Sequence, residues 1–434
     1  MSDYIFMLEC HLTADQNRVL EHVQSAAAAA EVNLFLTGGG MRDMLGGFQI
    51  RDLDFSVEGP ALKVAKALEE HGARALGVDE NRRTVELVFP NGVTVQVGMS
   101  RKERYLKTGA KPHVTPATIQ EDLRGRDFTI DAMALSLNRA SRGLLLDPTN
   151  GLADLGRREI RATHPYVFYD DPTRLLRLPR LRVRLSFTVE ERTRMQFDNA
   201  RAAHVESQIS PRTLLEELRH IAAEPSPSEA LQALDQDGLL ALFSPALTGS
   251  GLNLQALGRL EKASRMVESA SMTNAPQLGP LLLALTAKLT PKEKSGLFKA
   301  LEMPKAEIDQ MRNLEPRSRK LEHALKSARV RKPSHVYEIL AAAPSDEIVF
   351  LIGNSSQKLV QERLRNYLQK YRPAMQEVPL SVWQALEGQP GTPKHHRSRQ
   401  AFLASRLDVR QPKTPVSETV AAAPIEVPTR GRYR

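Results

Sequence analysis

A chain of 434 residues, 41% hydrophobic and 26% charged, is too long for one compact core and has neither the composition of a fibrous nor of a disordered protein. Its one cysteine, Cys10, excludes a disulfide framework and a cysteine metal site; no apolar run approaches the roughly 20 residues that cross a bilayer, and MSDYIFMLEC is no secretion signal, so a cytoplasmic, membrane-free protein is expected. The net charge of +9 suits a polyanionic partner, but residues 388–434 alone hold nine Lys/Arg against three Asp/Glu, together with six prolines, the make-up of a disordered basic tail on a near-neutral body.

Residues 14–30 predict an alanine-rich helix, and VNLFLTGGG after it predicts a short strand stopped by three glycines. MRDMLGG follows as a helical turn. In QIRDLDFSVEG, Leu53, Phe55 and Val57 alternate with polar positions as in a half-buried strand. Residues 61–71 have helical periodicity, and TVELVF and VTVQVGM flank Pro90-Asn91-Gly92 as a hairpin. A polar loop is expected over 101–120, then an apolar core segment FTIDAMALSL, then a strand and turn in LLLDPTNGLADL. Beyond about Asp170 the strand signals fade, and eleven consecutive segments up to residue 371 have helical patterning.

Asp52 and Asp54 stand at i and i+2 on a strand, so both carboxylates project from one face and are able to serve one pair of divalent ions. Magnesium takes oxygen ligands and keeps waters and substrate phosphates, so two or three carboxylates suffice. Two solvated surface acids would look the same in isolation. Gly38-Gly39-Gly40, between a strand and a helical turn, would offer backbone N–H groups to a triphosphate, with Arg42 one turn on to pair with phosphate oxygens, although three glycines also make an ordinary tight turn. Further on, Asp171-Pro172 is a helix start, and Arg174, Arg177, Arg180, Arg182 and Arg184 follow; positions 174, 177 and 180 form one basic stripe, which a solvated face would equally explain.

In combined order, LTGGGMRDMLGGFQIRDLDFSV resembles the opening motif of the class II tRNA nucleotidyltransferase and bacterial poly(A) polymerase family. The resemblance implies that Gly39 and Arg42 contact nucleotide, and that Asp52 and Asp54 hold the metals. GRDFTIDAMAL is similar to a further family segment and implies that Arg126 touches the nucleotide, where the residues alone also allow a simple Arg126–Asp127 ion pair; Asp131 replaces an asparagine there. The 169–187 helix is similar to the family's E-D-x-x-R element, in which Asp171 would accept from the exocyclic amine of C or A and Arg174 would donate to the adjacent ring position, so that the protein itself selects the base. Arg177 and Arg180 match nucleotide-contacting arginines, with Pro179 between them predicted to kink the helix and displace Arg180.

One departure concerns catalysis. Five residues before the R-x-E-x-Y element (Arg101, Glu103, Tyr105), the family carries a third acid, and this chain has the neutral Gln96. If Phe89 and Val93 pair across the turn, Glu86 lies directly opposite Gln96 on the same face and would supply the missing charge.

The expected architecture is α+β: a small mixed-sheet nucleotidyltransferase head (1–155), then an elongated all-α neck, body and tail. The neck is placed at 156–250, where it reads nucleotide and RNA, the tRNA-binding helices at 251–375, and a disordered Pro-rich tail at 376–434. The implied activity is addition of C, C and A to a tRNA 3′ end from CTP and ATP with magnesium. The sites are Asp52 and Asp54 for metal and catalysis, and Gly38, Gly39, Arg42, Arg126, Asp171, Arg174, Arg177 and Arg180 for nucleotide. The alternatives are a poly(A) polymerase, an enzyme adding only CC or only A, and an RNA-binding protein with an impaired site. No His-Asp dipeptide supports a phosphohydrolase.

Overall fold

The computed structural model describes residues 3–270 and 278–409. Two short-range signals set its start: Thr13 and Gln16 form a reciprocal cap on the second of two opening helices, α1 (Asp3–His11) and α2 (Ala14–Ala29). The chain then alternates through β1 (Asn33–Thr37), α3 (Gly38–Leu45), β2 (Leu53–Glu58), α4 (Ala61–Glu70), β3 (Arg74–Asp79), β4 (Thr84–Val88) and β5 (Thr94–Met99). A separate hairpin, β6 (Arg101–Arg104) and β7 (His113–Pro116), and helix α5 (Ile119–Arg124) precede β8 (Ala134–Ser136) and β9 (Leu145–Leu146). The seven-stranded sheet has the order β3-β4-β5-β2-β1-β8-β9, with β2 and β5 parallel and the other neighbours antiparallel.

Alternation along the strands decides which face is which. Leu53, Phe55 and Val57 of β2, Val85 and Leu87 of β4, and Val95 and Val97 of β5 are all buried in one hydrophobic cluster with residues of α2 and α4. Their intervening neighbours, Asp54, Glu86 and Gln96, therefore point to the other face. Phe89 N donates to Val93 O (2.9 Å) across a three-residue turn in which Gly92 takes φ +84°, so the hairpin register predicted from the sequence is the one adopted.

Three local expectations change. The glycines are not a loop before a helix: Gly38, Gly39 and Gly40 are the first turn of α3 itself. The polar segment 101–120 contains the β6–β7 hairpin, held where Glu103 accepts from Arg82 Nε (3.0 Å) and Arg101 Nε (2.7 Å). Part of the expected disordered tail is helical, at Leu380–Gln384 and Pro393–Leu407, because Trp383 packs edge-on against Phe402 and Ser334 donates to Asp408. Residues 410–434, the rest of that expectation, lie outside the described residues.

After the sheet come α6 (Gly151–Arg157), α7 (Val167–Asp170) and α8 (Arg174–Leu185), and from there helices dominate. The chain divides into two compact units, 1–320 with 344–356, and 321–343 with 357–434. The boundaries expected at 155/156 and 250/251 both fall inside the first unit, where α8 packs against the helix Pro227–Gln236 and the helix Leu254–Glu268 against Ser345–Asn354. No helix among the described residues is long and apolar enough to cross a membrane.

Candidate active site

A cavity of about 410 Å³ opens on the polar face of the sheet, and it brings together Asp52, Asp54, Glu86, Gln96, Gly39 and Arg42. Strand register explains the acidic floor. Thr37 pairs with Asp54, Asp54 with Gln96, and Gln96 with Glu86, so one row across four strands carries all three side chains to the same side. Asp52 is one pleat further along and accepts from Thr94 Oγ1 (2.8 Å).

The close neighbours of Asp54 define its chemistry. Burial, then the adjacent Asp52, push its carboxyl up to about 6, against the pull of Arg126 and Arg177. Burial and Asp52 also raise Glu86, which places Glu86 in the same electrostatic field as the Asp pair. Gly38 sits at φ +65°, and a Cβ there would lie 3.1 Å from Asp54 Oδ2 and 3.3 Å from Arg126 Nη1, so both the backbone conformation and the close approach require glycine. Thr37 gives α3 no side-chain cap, which leaves the first-turn amides of the three glycines turned to the cavity end.

Opposite the acids stands a basic wall from α8: Arg177, Arg180 and Arg184, joined by Arg51. Each arginine already has a carboxylate partner. Arg42, 2% exposed, donates from Nη1 to Asp131 Oδ1 (2.6 Å) and from Nε to Asp43 Oδ1 (2.9 Å). Arg177 donates to Asp131 Oδ2 (3.0 Å), and its Nε lies 2.6 Å from Asp127 Oδ2. Arg184 donates to Asp43 Oδ2 (2.7 Å), Arg180 to Glu217 Oε1 (2.6 Å) and Glu224 Oε1 (3.0 Å), and Arg51 lies 3.4 Å from Glu224. Asp131 thus ties the glycine-helix arginine to the α8 arginine.

A second cavity of about 480 Å³ adjoins the first and shares Arg177, Arg180 and His220 with it. Asp170, Asp171, Arg82 and Tyr105 line it. The helix starts two residues later than read from the sequence: Asp171 Oδ1 accepts from Thr173 N (3.0 Å) and Oγ1 (2.7 Å), but the N-cap of α8 is Thr173 and regular helix begins at Arg174. Pro179 sits inside a helix that runs on unbroken to Leu185. Arg174 lines neither cavity; its Nη1 donates to Val167 O (3.2 Å). Arg126 reaches Asp54's surroundings while anchored to Asp122 Oδ2 (3.0 Å) and Ser56 Oγ (3.0 Å), not paired with Asp127. Of the ten predicted site residues, the first cavity lining includes Gly39, Arg42, Asp52, Asp54, Arg177 and Arg180, the second adds Asp171, and Gly38 and Arg126 stand beside Asp54.

Arg51, Thr94, Arg184 and His220 also line the first cavity and were not among the predicted site residues. Arg184 continues the arginine run and Arg51 adjoins Asp52, so those two had a signal; Thr94 and His220 reach the site only through tertiary packing. The donors on the acidic floor are all oxygens, which suits a hard divalent cation. Among the described residues no group of three or more His, Cys, Asp and Glu forms a closed metal cage, so a cation held by Asp52 and Asp54 would complete its shell with water and substrate phosphate.

Residues 34–161 match the poly A polymerase head domain. The chain is 26% identical over 412 residues to an A-adding tRNA nucleotidyltransferase of Geobacter sulfurreducens, covering 94% of this chain and 47% of that protein. It is 36% identical over 241 residues to the A-adding tRNA nucleotidyltransferase of Halalkalibacterium halodurans (54% of this chain, 56% of that protein), and 34% identical over 220 residues to the CC-adding tRNA nucleotidyltransferase of Deinococcus radiodurans (51% and 58%). The chain therefore spans about half the length of the curated relatives it matches. A solved CCA-adding enzyme in its apo form II shares the fold at a TM-score of 0.53 and 23% identity, covering 94% of this chain and 95% of that one.

Proposed function

Starting from a head of the poly A polymerase family, we propose that the chain is a template-independent RNA nucleotidyltransferase that adds C, C and A to the 3′ end of tRNA from CTP and ATP. The observation that carries this reading is the single cavity in which Asp52, just before β2, and Asp54, on it, face the uncapped glycine turn of α3 and the arginine wall of α8. The terminal ribose hydroxyl attacks the α-phosphate, the bond to the bridging oxygen breaks, and pyrophosphate leaves. Magnesium held by Asp52 and Asp54 would supply the polarisation of hydroxyl and phosphate.

The protein's own groups do the rest. Amides of Gly38–Gly40 hold phosphate oxygens, and Arg177, Arg180 and Arg184 orient the triphosphate against the acidic floor. Asp171 offers Oδ2, which lies 4.0 Å from Arg82 Nη2, to the exocyclic amine of cytosine or adenine while its other oxygen accepts from Thr173; Arg174 completes the reading of the base if it leaves Val167 O when nucleotide enters. The protein acts in the cytoplasm on this reading. A narrower activity, addition of the terminal A alone, is the second reading, favoured by the similarity to the A-adding enzymes of Geobacter sulfurreducens and Halalkalibacterium halodurans.

The test supplies tRNA transcripts ending before CCA and after CC, with magnesium and with CTP and ATP singly and together. Full CCA on the first transcript supports the main reading. Extension of only the CC-ending transcript supports the second, long A-tails indicate a poly(A) polymerase, and binding without extension removes the enzyme assignment.

A further inference from the structure

The second unit contains a cavity that the nucleotidyl transfer chemistry does not use. It measures about 430 Å³ and is lined by Tyr337, Arg372, Met375, Trp383, His395 and Arg399, all from that unit. Two aromatic rings are fixed there by their neighbours: Trp383 lies edge-on to Phe402 at 5.4 Å, and Tyr337 is tilted against Tyr367 at 5.7 Å. Met375 closes the floor at 3% exposure. Arg399 Nε is buried without a hydrogen-bond partner among the described residues. No carboxylate lines the cavity. Around it, residues 357–409 carry nine Lys/Arg against four Asp/Glu.

Flat rings, guanidinium groups and a histidine, with no acid to oppose an anion, match one ligand chemistry: a nucleotide out of its stack, with the base on an aromatic face and the phosphate on arginine. An unpaired buried N–H is costly to leave unsatisfied, so Arg399 favours an occupant that brings an acceptor. We propose that this cavity binds an unstacked nucleotide of the RNA substrate, with Trp383 as the stacking platform and Arg372 and Arg399 as the phosphate clamp. The inference rests on the reading that the substrate is RNA, but it concerns a site separate in the chain from the catalytic one. A free nucleotide would share the chemistry, and the experiment separates the two sources.

Trp383 is the only tryptophan of the chain, so intrinsic tryptophan fluorescence reports on this cavity alone. The full chain is titrated with a tRNA transcript lacking CCA, with single-stranded oligoadenylate, and with ATP or CTP, while fluorescence is read. The expected result is saturable quenching by the transcript, absent or far weaker with the mononucleotides at equal concentration. Arg399→Gln, which keeps the reporter, should weaken that quenching. Trp383→Ala should weaken tRNA binding roughly five- to hundredfold, the range that base–aromatic stacking supports, and Trp383→Phe should restore most of it. Both Trp383 variants should keep the extension rate at saturating tRNA. Quenching by mononucleotides alone would assign the cavity to a free nucleotide and overturn the proposal, as would nucleotide addition to tRNA with no change in Trp383 emission. Quenching without nucleotide addition would leave this site standing and remove the catalytic reading.

Discussion

Asp131 offers a direct measure of what the arginine network is worth. Its carboxylate is fully enclosed and accepts from Arg42 (2.6 Å) and Arg177 (3.0 Å). Burial pushes its pKa up, but Arg42 and then Arg177 outweigh that and hold it below the ordinary carboxylate range. At an effective dielectric near 20, each contact contributes on the order of 4 kcal/mol gross. Removing the carboxylate from water costs several kcal/mol in return, so the net is a fraction of the gross. Asp131→Ala breaks a buried pair and leaves two guanidinium groups short of a partner, with an expected loss of about 3–5 kcal/mol. Asp131→Asn keeps the shape and one acceptor, and about 2 kcal/mol is expected. Urea unfolding followed by far-ultraviolet circular dichroism would show both midpoints lowered at similar slope, Ala more than Asn. The sign with pH follows: a lowered folded pKa contributes stability above the unfolded value and loses it on acidification, so Asp131→Asn should flatten the acid limb. An Asp131→Asn protein as stable as the parent at neutral pH, or more so, would refute the reasoning, because desolvation would then exceed attraction.

Glu86→Gln should lower the rate of nucleotide addition on the order of 10²-fold if Glu86 supplies the third negative charge, and Gln96→Glu in that background should recover part of it; unchanged turnover in Glu86→Gln removes Glu86 from the reaction. Arg180→Ala strands Glu217 and Glu224 in a buried place and should cost about 3–5 kcal/mol, with Arg180→Lys intermediate, as read by thermal unfolding. Glu103 is destabilised by burial, yet Arg82 and Arg101 hold its carboxyl down to about 2 from 4.5. Its contribution is present above pH 4.5 and fades as pH falls towards 2, so Glu103→Gln should lose stability at neutral pH but not at pH 2, and equal losses at both would contradict the assignment.

The parts of the site that lie on one stretch of chain were legible in the sequence. Asp52, Asp54 and the glycines are local, and Pro90-Asn91-Gly92 marked the hairpin, but its Phe89–Val93 register was only a condition in the sequence, and the structure adopts it with Glu86 beside Gln96. Strand β3 carried no such signal, because its residues are mostly exposed and a bulge between Ala75 and Gly77 breaks the alternation. The β6–β7 hairpin looked like a polar loop since β6 reads Arg-Lys-Glu-Arg, with no apolar residue to mark the strand. Motif order singled out Arg177 and Arg180, which line the cavity, and Arg174, which does not, but gave no sign that Glu217 and Glu224, more than thirty residues on, would meet Arg180. Such partners are set by how helices pack, for which a sequence pattern gives no distance.

The five arginines of the cavity, Arg42, Arg51, Arg177, Arg180 and Arg184, are matched by five carboxylates, Asp43, Asp127, Asp131, Glu217 and Glu224. A wall that carries its own counter-ions presents directed N–H groups with little net field, so added salt has few mobile ions to displace from it. On the proposed function, nucleotide capture should then be nearly indifferent to ionic strength, while binding of a polyanionic tRNA should weaken steeply. Raising salt would therefore tell the two proposed substrates apart.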